Sequence, residues 1–182
     1  AKNQGWEVYG VELSRWAGKI AREKFNLNVF NNALEEIKFP DNYFDAIVLL
    51  DSIEHLPDPV ETLINIRGIL KSNGVLCVST PDINSLLSRL LKAKWWGIQQ
   101  SHLYYFSKKT LVKLLDVTGF KIMRYSCHER VFSVDYWNKR LKNYNKTFYQ
   151  LFRFIAKYIL SNKQLLKINF RDQIEIFAKK NY

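Results

Sequence analysis

The chain has 182 residues, with 28 Lys and Arg against 17 Asp and Glu, for a formal charge of +11. Hydrophobic residues make up 47% and aromatics 15%, enough for one sizeable core, so a disordered or collagen-like chain is excluded. Seven glycines and four prolines argue against a loop-rich all-β protein, and Cys77 and Cys127 are too few for a disulfide scaffold.

Trp6 to Leu13 reads as a buried strand, rich in β-formers and closing at Glu12. Ser14 then caps a helix whose apolar face is Trp16, Ile20, Ala21 and Phe25. Val29-Phe30 reads as a short strand ending in the turn Asn31-Asn32, and Pro40-Asp41-Asn42 as a further turn. Phe44 to Leu50 is a near-continuous apolar run, the pattern of a strand covered on both faces. Asp58, Pro59 and Glu61 supply a cap, a first-turn proline and an acid three residues on, so a helix is predicted from there to about Leu70, with Asn73-Gly74 as its stop. Val75 to Ser79 reads as a buried strand that places Cys77 in the core. Ser107 caps a helix carrying Leu111, Leu114 and Leu115 that closes at Gly119. Phe120 to Tyr125 and Ile174 to Ala178 read as the last two strands.

Strands alternating with helices predict an α/β fold: a Rossmann-like, mostly parallel sheet with helices on both faces. Ligands in such sheets bind at the carboxyl ends of the strands, which directs attention to the loops after Leu13, Phe30, Leu50 and Ser79. Glu12 ends a strand before a capped helix, where a carboxylate can accept two ribose hydroxyls side by side. The plainer reading is an ordinary exposed acid.

The run Phe44-Asp45-Ala46-Ile47-Val48-Leu49-Leu50-Asp51-Ser52-Ile53-Glu54-His55-Leu56-Pro57-Asp58-Pro59 resembles the FDxxxxxxxxEHLxDP signature of class I S-adenosylmethionine-dependent methyltransferases acting on small molecules. The resemblance continues through Leu70-Lys71-Ser72-Asn73-Gly74-Val75-Leu76, where Ser-Asn replaces the family's Pro-Gly. It extends through Ser79-Thr80-Pro81-Asp82, through Ser101-His102-Leu103-Tyr104-Tyr105-Phe106-Ser107, which is similar to HLYxFS, and through Gly119-Phe120. It implies a methyltransferase core over residues 1–125 and 172–182, with 126–171 inserted before the last strand.

The resemblance further implies S-adenosylmethionine as cofactor. Glu12 would bind its ribose, Asn32, Ala33 and Leu34 would flank the adenine, and Leu50 and Asp51 would line the methionine end. His55 and His102 would face the acceptor, His55 as the preferred base and His102 as the second. Methyl transfer needs an in-line approach, so positioning supplies much of the acceleration, and a base is required only where the nucleophile must lose a proton. The expected acceptor is a small molecule such as a sugar, quinone or lipid-linked compound, with oxygen as the favoured nucleophile. Hydrogen-bonded loop packing of His55, or aromatic packing of His102 beside Tyr104, Tyr105 and Phe106, is the competing account.

Asp51, Glu54 and His55 would share one face if their loop turned helically, a donor set suited to Mg²⁺, Mn²⁺ or Zn²⁺. This is similar to the acid-x-x-Glu-His site of ubiquinone-pathway O-methyltransferases. Most of the family carries Glu-His without a metal, so none is expected. The largest departure from the family is at the front: none of the seven glycines forms a GxGxG, and the first strand with its glycine-rich loop is expected to be missing. The chain is thus expected to be an N-terminally truncated fragment, impaired in cofactor binding, with its sheet divided and edges unpaired.

The charge is uneven. Residues 126–182 hold 12 basic against four acidic side chains and 12 of the 27 aromatics. Tyr136–Arg140 and Leu151–Leu160 read as helices with aromatic faces and basic backs, forming a lid over the substrate opening. The segment 136–160 also suits peripheral contact with an anionic membrane. Nucleic acid is placed last, since no RNA-binding motif accompanies it. The polar start is unlike a signal peptide, and no apolar run approaches the ~20 residues of a membrane span. A cytoplasmic location, peripheral to a membrane at most, is expected. Two alternatives remain beside the transferase: an NAD-dependent oxidoreductase, for which Glu12 serves equally well, and a degenerate, non-catalytic domain kept as a membrane- or partner-binding module.

Overall fold

The computed structural model describes residues 1–126, 130–136, 149, 150, 154 and 165–181. The predicted helices over 136–140 and 151–160 fall almost wholly outside these residues, as does Cys127. In chain order the elements are β1 (Tyr9–Val11), α1 (Arg15–Phe25), β2 (Asn28–Phe30), β3 (Phe44–Leu50), α2 (Pro59–Ile69) and β4 (Leu70–Pro81). They continue with α3 (Leu86–Leu91), α4 (Lys108–Val117), β5 (Phe120–Ser126), β6 (Arg130–Ser133), β7 (Leu165–Ile168) and β8 (Gln173–Lys180).

The local signals act as their chemistry dictates. Asp58 accepts hydrogen bonds from the Val60 and Glu61 amides while Pro59 opens α2, where a proline's missing N–H costs nothing. Ser107 and Thr110 close a reciprocal capping box at the start of α4. That helix stops at Gly119, whose φ of +83° only glycine adopts without strain, and a Cβ there would also lie 2.7 Å from Arg67 Nε.

The principal sheet has the order β3-β4-β8-β5. β3 runs parallel to β4, while β8 is antiparallel to both β4 and β5. β3, β4 and β5 therefore share one direction, with β8 reversed between them, the mostly parallel α/β arrangement expected. β1 and β2 form a separate parallel pair, and β6 with β7 an antiparallel ribbon inside the stretch expected to be a helical lid. The core lies on the α2/α4 side of the principal sheet: Leu63 and Ile66 of α2 and Leu111 and Leu115 of α4 meet Leu76, Val78, Phe120, Ile174 and Ile176.

Three sequence expectations are corrected. β1 is only Tyr9–Val11, and its surroundings are open, with Trp6, Val11 and Leu13 exposed. The apolar face of α1 is likewise uncovered at Trp16 and Phe25. β3 is not covered on both faces: Val48 and Leu50 are 55% and 56% exposed. Their alternation with the half-buried Ile47 and Leu49 is that of a strand packed on one face only. Among the described residues β3 is an edge strand, paired with β4 alone.

β4 also begins earlier than expected. The chain passes from α2 straight into pairing at Leu70↔Phe44, and the next partners are Val75↔Ala46. The intervening Asn73-Gly74 lies in a bulge of the strand and does not serve as the helix stop.

Candidate functional site

The first group of expected site residues gathers at the carboxyl ends of β1 and β2. Glu12 follows β1, its amide donating to Phe30 O at 2.9 Å, so it is held in the β1–β2 register. Its carboxylate accepts from the Ser14 amide at 2.7 Å, and Ser14 caps α1. Asn31 ties this corner together: its Nδ2 donates to Glu12 O at 2.7 Å and to Ser14 O at 3.2 Å. The amide can approach α1 this closely only because residue 18 is glycine, where a Cβ would lie 2.2 Å from Asn31 Nδ2. Sequence reasoning treated Asn31 as an ordinary turn residue, and the only available signal was a helix-interior glycine with no propensity to recommend it. Asn32 donates to Glu36 Oε2 at 3.0 Å, and Ala33 leads into a single 3₁₀ turn at Leu34–Glu36, with Leu34 packed against the core.

The second group lies beyond β3. Leu50 ends the strand with its side chain exposed. Asp51 follows at φ +45°, a left-handed conformation uncommon outside glycine. It is held there by its amide, which donates to Ser79 O at 2.9 Å, and by Gln173 Nε2, which donates to its carboxylate. The helical turn starts only at Ile53 and spans Ile53–His55 as one 3₁₀ turn. Asp51 therefore does not share the face of Glu54 and His55 that a helix from residue 51 would have provided.

Glu54 and His55 are adjacent in this turn and diverge by about 120°. Glu54 is 1% exposed, among the core residues, whereas His55 is exposed. Glu54 is the hub of the site. Its carbonyl accepts from the amides of Leu103 at 2.8 Å and Tyr104 at 3.2 Å, and Tyr104 Oη donates to Pro57 O at 3.1 Å. The 101–106 loop is thereby fastened to the 54–57 loop across the carboxyl end of β3. Glu54 Oε2 accepts from Thr80 Oγ1 of β4 at 2.8 Å, while Oε1 is buried without a hydrogen-bond partner.

Across this seam His55 and His102 meet edge to face, ring centroids 4.7 Å apart, with Tyr105 6.0 Å from His102. His102 is 9% exposed. His55 Nδ1 lies 2.8 Å from Ser101 O; the carbonyl can only accept, so Nδ1 donates, and in the neutral ring Nε2 is the nitrogen left with a lone pair. Glu54, His55 and His102 each offer a donor atom, all within 4.8 Å of one another. The structure thus brings together His55, His102 and Glu54, and it leaves Asp51 with Gln173. The contact of His55 Nδ1 with Ser101 O secures the loop, as the packing account of this histidine has it.

Cys77 lies in β4 as expected, and burial, helped by the negative Glu175, pushes its thiol up to about 11. No helix among the described residues is long and apolar enough to cross a membrane.

Comparison with known proteins gives this geometry its family. A methyltransferase-domain model matches residues 1–125. A demethylmenaquinone methyltransferase of Listeria welshimeri is 24% identical over 148 residues, covering 66% of this chain and 62% of the relative. An uncharacterized methyltransferase of Schizosaccharomyces pombe is 31% identical over 91 residues, covering 43% of this chain and 33% of the relative. The chain therefore spans less than two thirds of the length of these curated relatives. Among solved structures, a SAM-dependent methyltransferase from Archaeoglobus fulgidus superposes with a TM-score of 0.62 at 22% identity, covering 98% of this chain and 78% of that one. The 1,6-didemethyltoxoflavin-N1-methyltransferase of Burkholderia thailandensis, solved with S-adenosylhomocysteine bound, gives 0.56 at 14% identity over 100% of this chain and 64% of that one. Over residues 1–125, this chain belongs to the methyltransferase-domain family.

Proposed function

We propose that the protein transfers a methyl group from S-adenosylmethionine to a small-molecule acceptor, with oxygen as nucleophile. The observation that carries this reading is the pairing of His55 with His102 beside the carboxyl end of β3, in a chain whose other strand-end acid, Glu12, is fixed after β1. In this reading Glu12 receives a ribose diol, with Asn32, Ala33 and Leu34 along the adenine and Leu50 and Asp51 toward the methionine. His55 offers Nε2 to the acceptor, and His102, held by the loop clamped to Glu54, sets the acceptor's angle. Orientation is the principal contribution, since the reaction needs nucleophile, methyl and sulfur in line. A proton leaves with an imidazole's help only where the acceptor is a hydroxyl. A sugar, a quinone or a lipid-linked compound fits such a site.

Calorimetric titration of S-adenosylhomocysteine into the protein, with any upstream segment its gene encodes, tests the proposal. One site is expected, weakened at least tenfold by Glu12→Ala, because hydrogen bonds to a charged group contribute about 1.5–3 kcal/mol each. Binding of NADH in place of S-adenosylhomocysteine would transfer the Glu12 argument to an oxidoreductase. Binding of neither, with retention on anionic vesicles, would leave a non-catalytic module.

A further inference from the structure

We infer that the groove between α4 and the start of β5 seats the protein on an anionic lipid surface. The groove encloses about 530 Å³ at the far edge of the principal sheet from β3. Lys109, Lys113 and Lys121 line it above an apolar floor of Val112, Phe120 and Ile122. Asp116 is the only acid among its lining residues. None of these side chains belongs to the candidate site at the ends of β1, β2 and β3.

Two arrangements of like charge converge here. Lys109 and Lys113 are four residues apart on α4, where two cations repel across one turn. The β5–β8 register sets Lys121 directly opposite Lys179, a cross-strand pair of like sign. All four lysines are exposed, and none forms an ion pair among the described residues. Each arrangement costs stability in water, and an anionic plane meeting the lysines relieves both. Exposed apolar side chains flank them: Val117 at the end of α4 is 65% exposed and Met123 of β5 is 55% exposed. Basic side chains beside apolar ones fit the boundary between lipid headgroups and acyl chains, where valine and methionine leave water. A polyanion in water offers those apolar groups nothing. Tyr125, whose ring could stack on a base, already carries Lys108 Nζ 3.8 Å from its centroid. Charge and apolar exposure together therefore select a membrane over nucleic acid.

The inference stands apart from the methyl-transfer reading, because its test contains neither cofactor nor acceptor. Sedimentation of the protein with vesicles of phosphatidylserine and phosphatidylcholine in equal parts measures the partitioning. Binding to these vesicles is expected, with release at about 0.5 M salt and none to phosphatidylcholine alone. Lys109→Gln, Lys113→Gln and Lys121→Gln combined are expected to lower partitioning about a hundredfold, about fivefold for each lysine at ~1 kcal/mol. The comparison variant combines Lys19→Gln, Lys24→Gln and Lys38→Gln, which make the same change in charge on other elements. It is expected to stay within about threefold of wild type, since distant charges are screened. All six lysines are exposed, so both variants keep the core intact. Met123→Ser is expected to weaken partitioning several-fold with no change in charge. Equal losses in the two triple variants would reduce the attraction to net charge and overturn the assignment of the groove. Undiminished binding by the groove variant, no binding to the mixed vesicles, or equal binding to neutral ones would overturn it too. So would a DNA duplex that displaces the vesicles from the same lysines.

Discussion

Asn31 and Gly18 show how single residues set the cofactor-side corner. The asparagine amide holds two carbonyls, those of Glu12 and Ser14, and the glycine leaves it room. Asn31→Ala and Gly18→Ala are expected to weaken S-adenosylhomocysteine binding through the same displacement of Glu12. The double variant should therefore lose no more than the worse single one, and a thermodynamic cycle measured by calorimetry reads that coupling. Cys77 gives a pH prediction. Its thiol is held neutral in the fold, up to about 11 against an ordinary 9.0, so folding favours the protonated form. The associated stability is complete below pH 9 and is lost as pH rises from there towards 11, while the unfolded thiol ionises. The denaturation midpoint of wild type relative to Cys77→Ala should fall across that window. At pH 8, peptide mapping after treatment with iodoacetamide should find native Cys77 unmodified. Of the site residues, those marked by a strand end or a motif were legible in the sequence: Glu12, His55 and His102. The convergence of His102 on Glu54, 48 positions away, was not, because it rests on bonds between loops distant in sequence, among them those from the 103–104 amides to the Glu54 carbonyl.

At the scale of elements, the helices were easier to read than the strands. Asp58-Pro59 and Ser107 state their helix starts in side chains that bond locally, so α2 and α4 begin where the residues said they would. Asp58→Ala should cost about 1 kcal/mol of stability in a urea titration. Leu111→Ala or Leu115→Ala, both fully buried, should cost about 2–5 kcal/mol in the same experiment. An apolar strand carries no statement of what covers it. Phe44 to Leu50 has the composition of a doubly covered strand and is packed on one face, since coverage depends on distant elements. Asp51 likewise departs from the expected helical face because its left-handed backbone precedes the turn, a break that side-chain spacing does not report.

At the scale of the molecule, the charge of +11 is concentrated in the last third of the chain. The sheet system is divided: β3 ends the four-stranded sheet, and β1 and β2 stand as a pair of their own. An open strand edge is a template for another chain, and here the edge of β3 carries the exposed, uncharged Val48 and Leu50 with no proline or lysine to discourage pairing. In solution this predicts self-association through backbone ladders: sedimentation velocity should show growing oligomers as concentration rises through the micromolar range. Val48→Lys should suppress them while leaving the fold's circular dichroism unchanged. The same edge that borders the seam of the two histidines would thus govern how concentrated the protein can be kept before it precipitates.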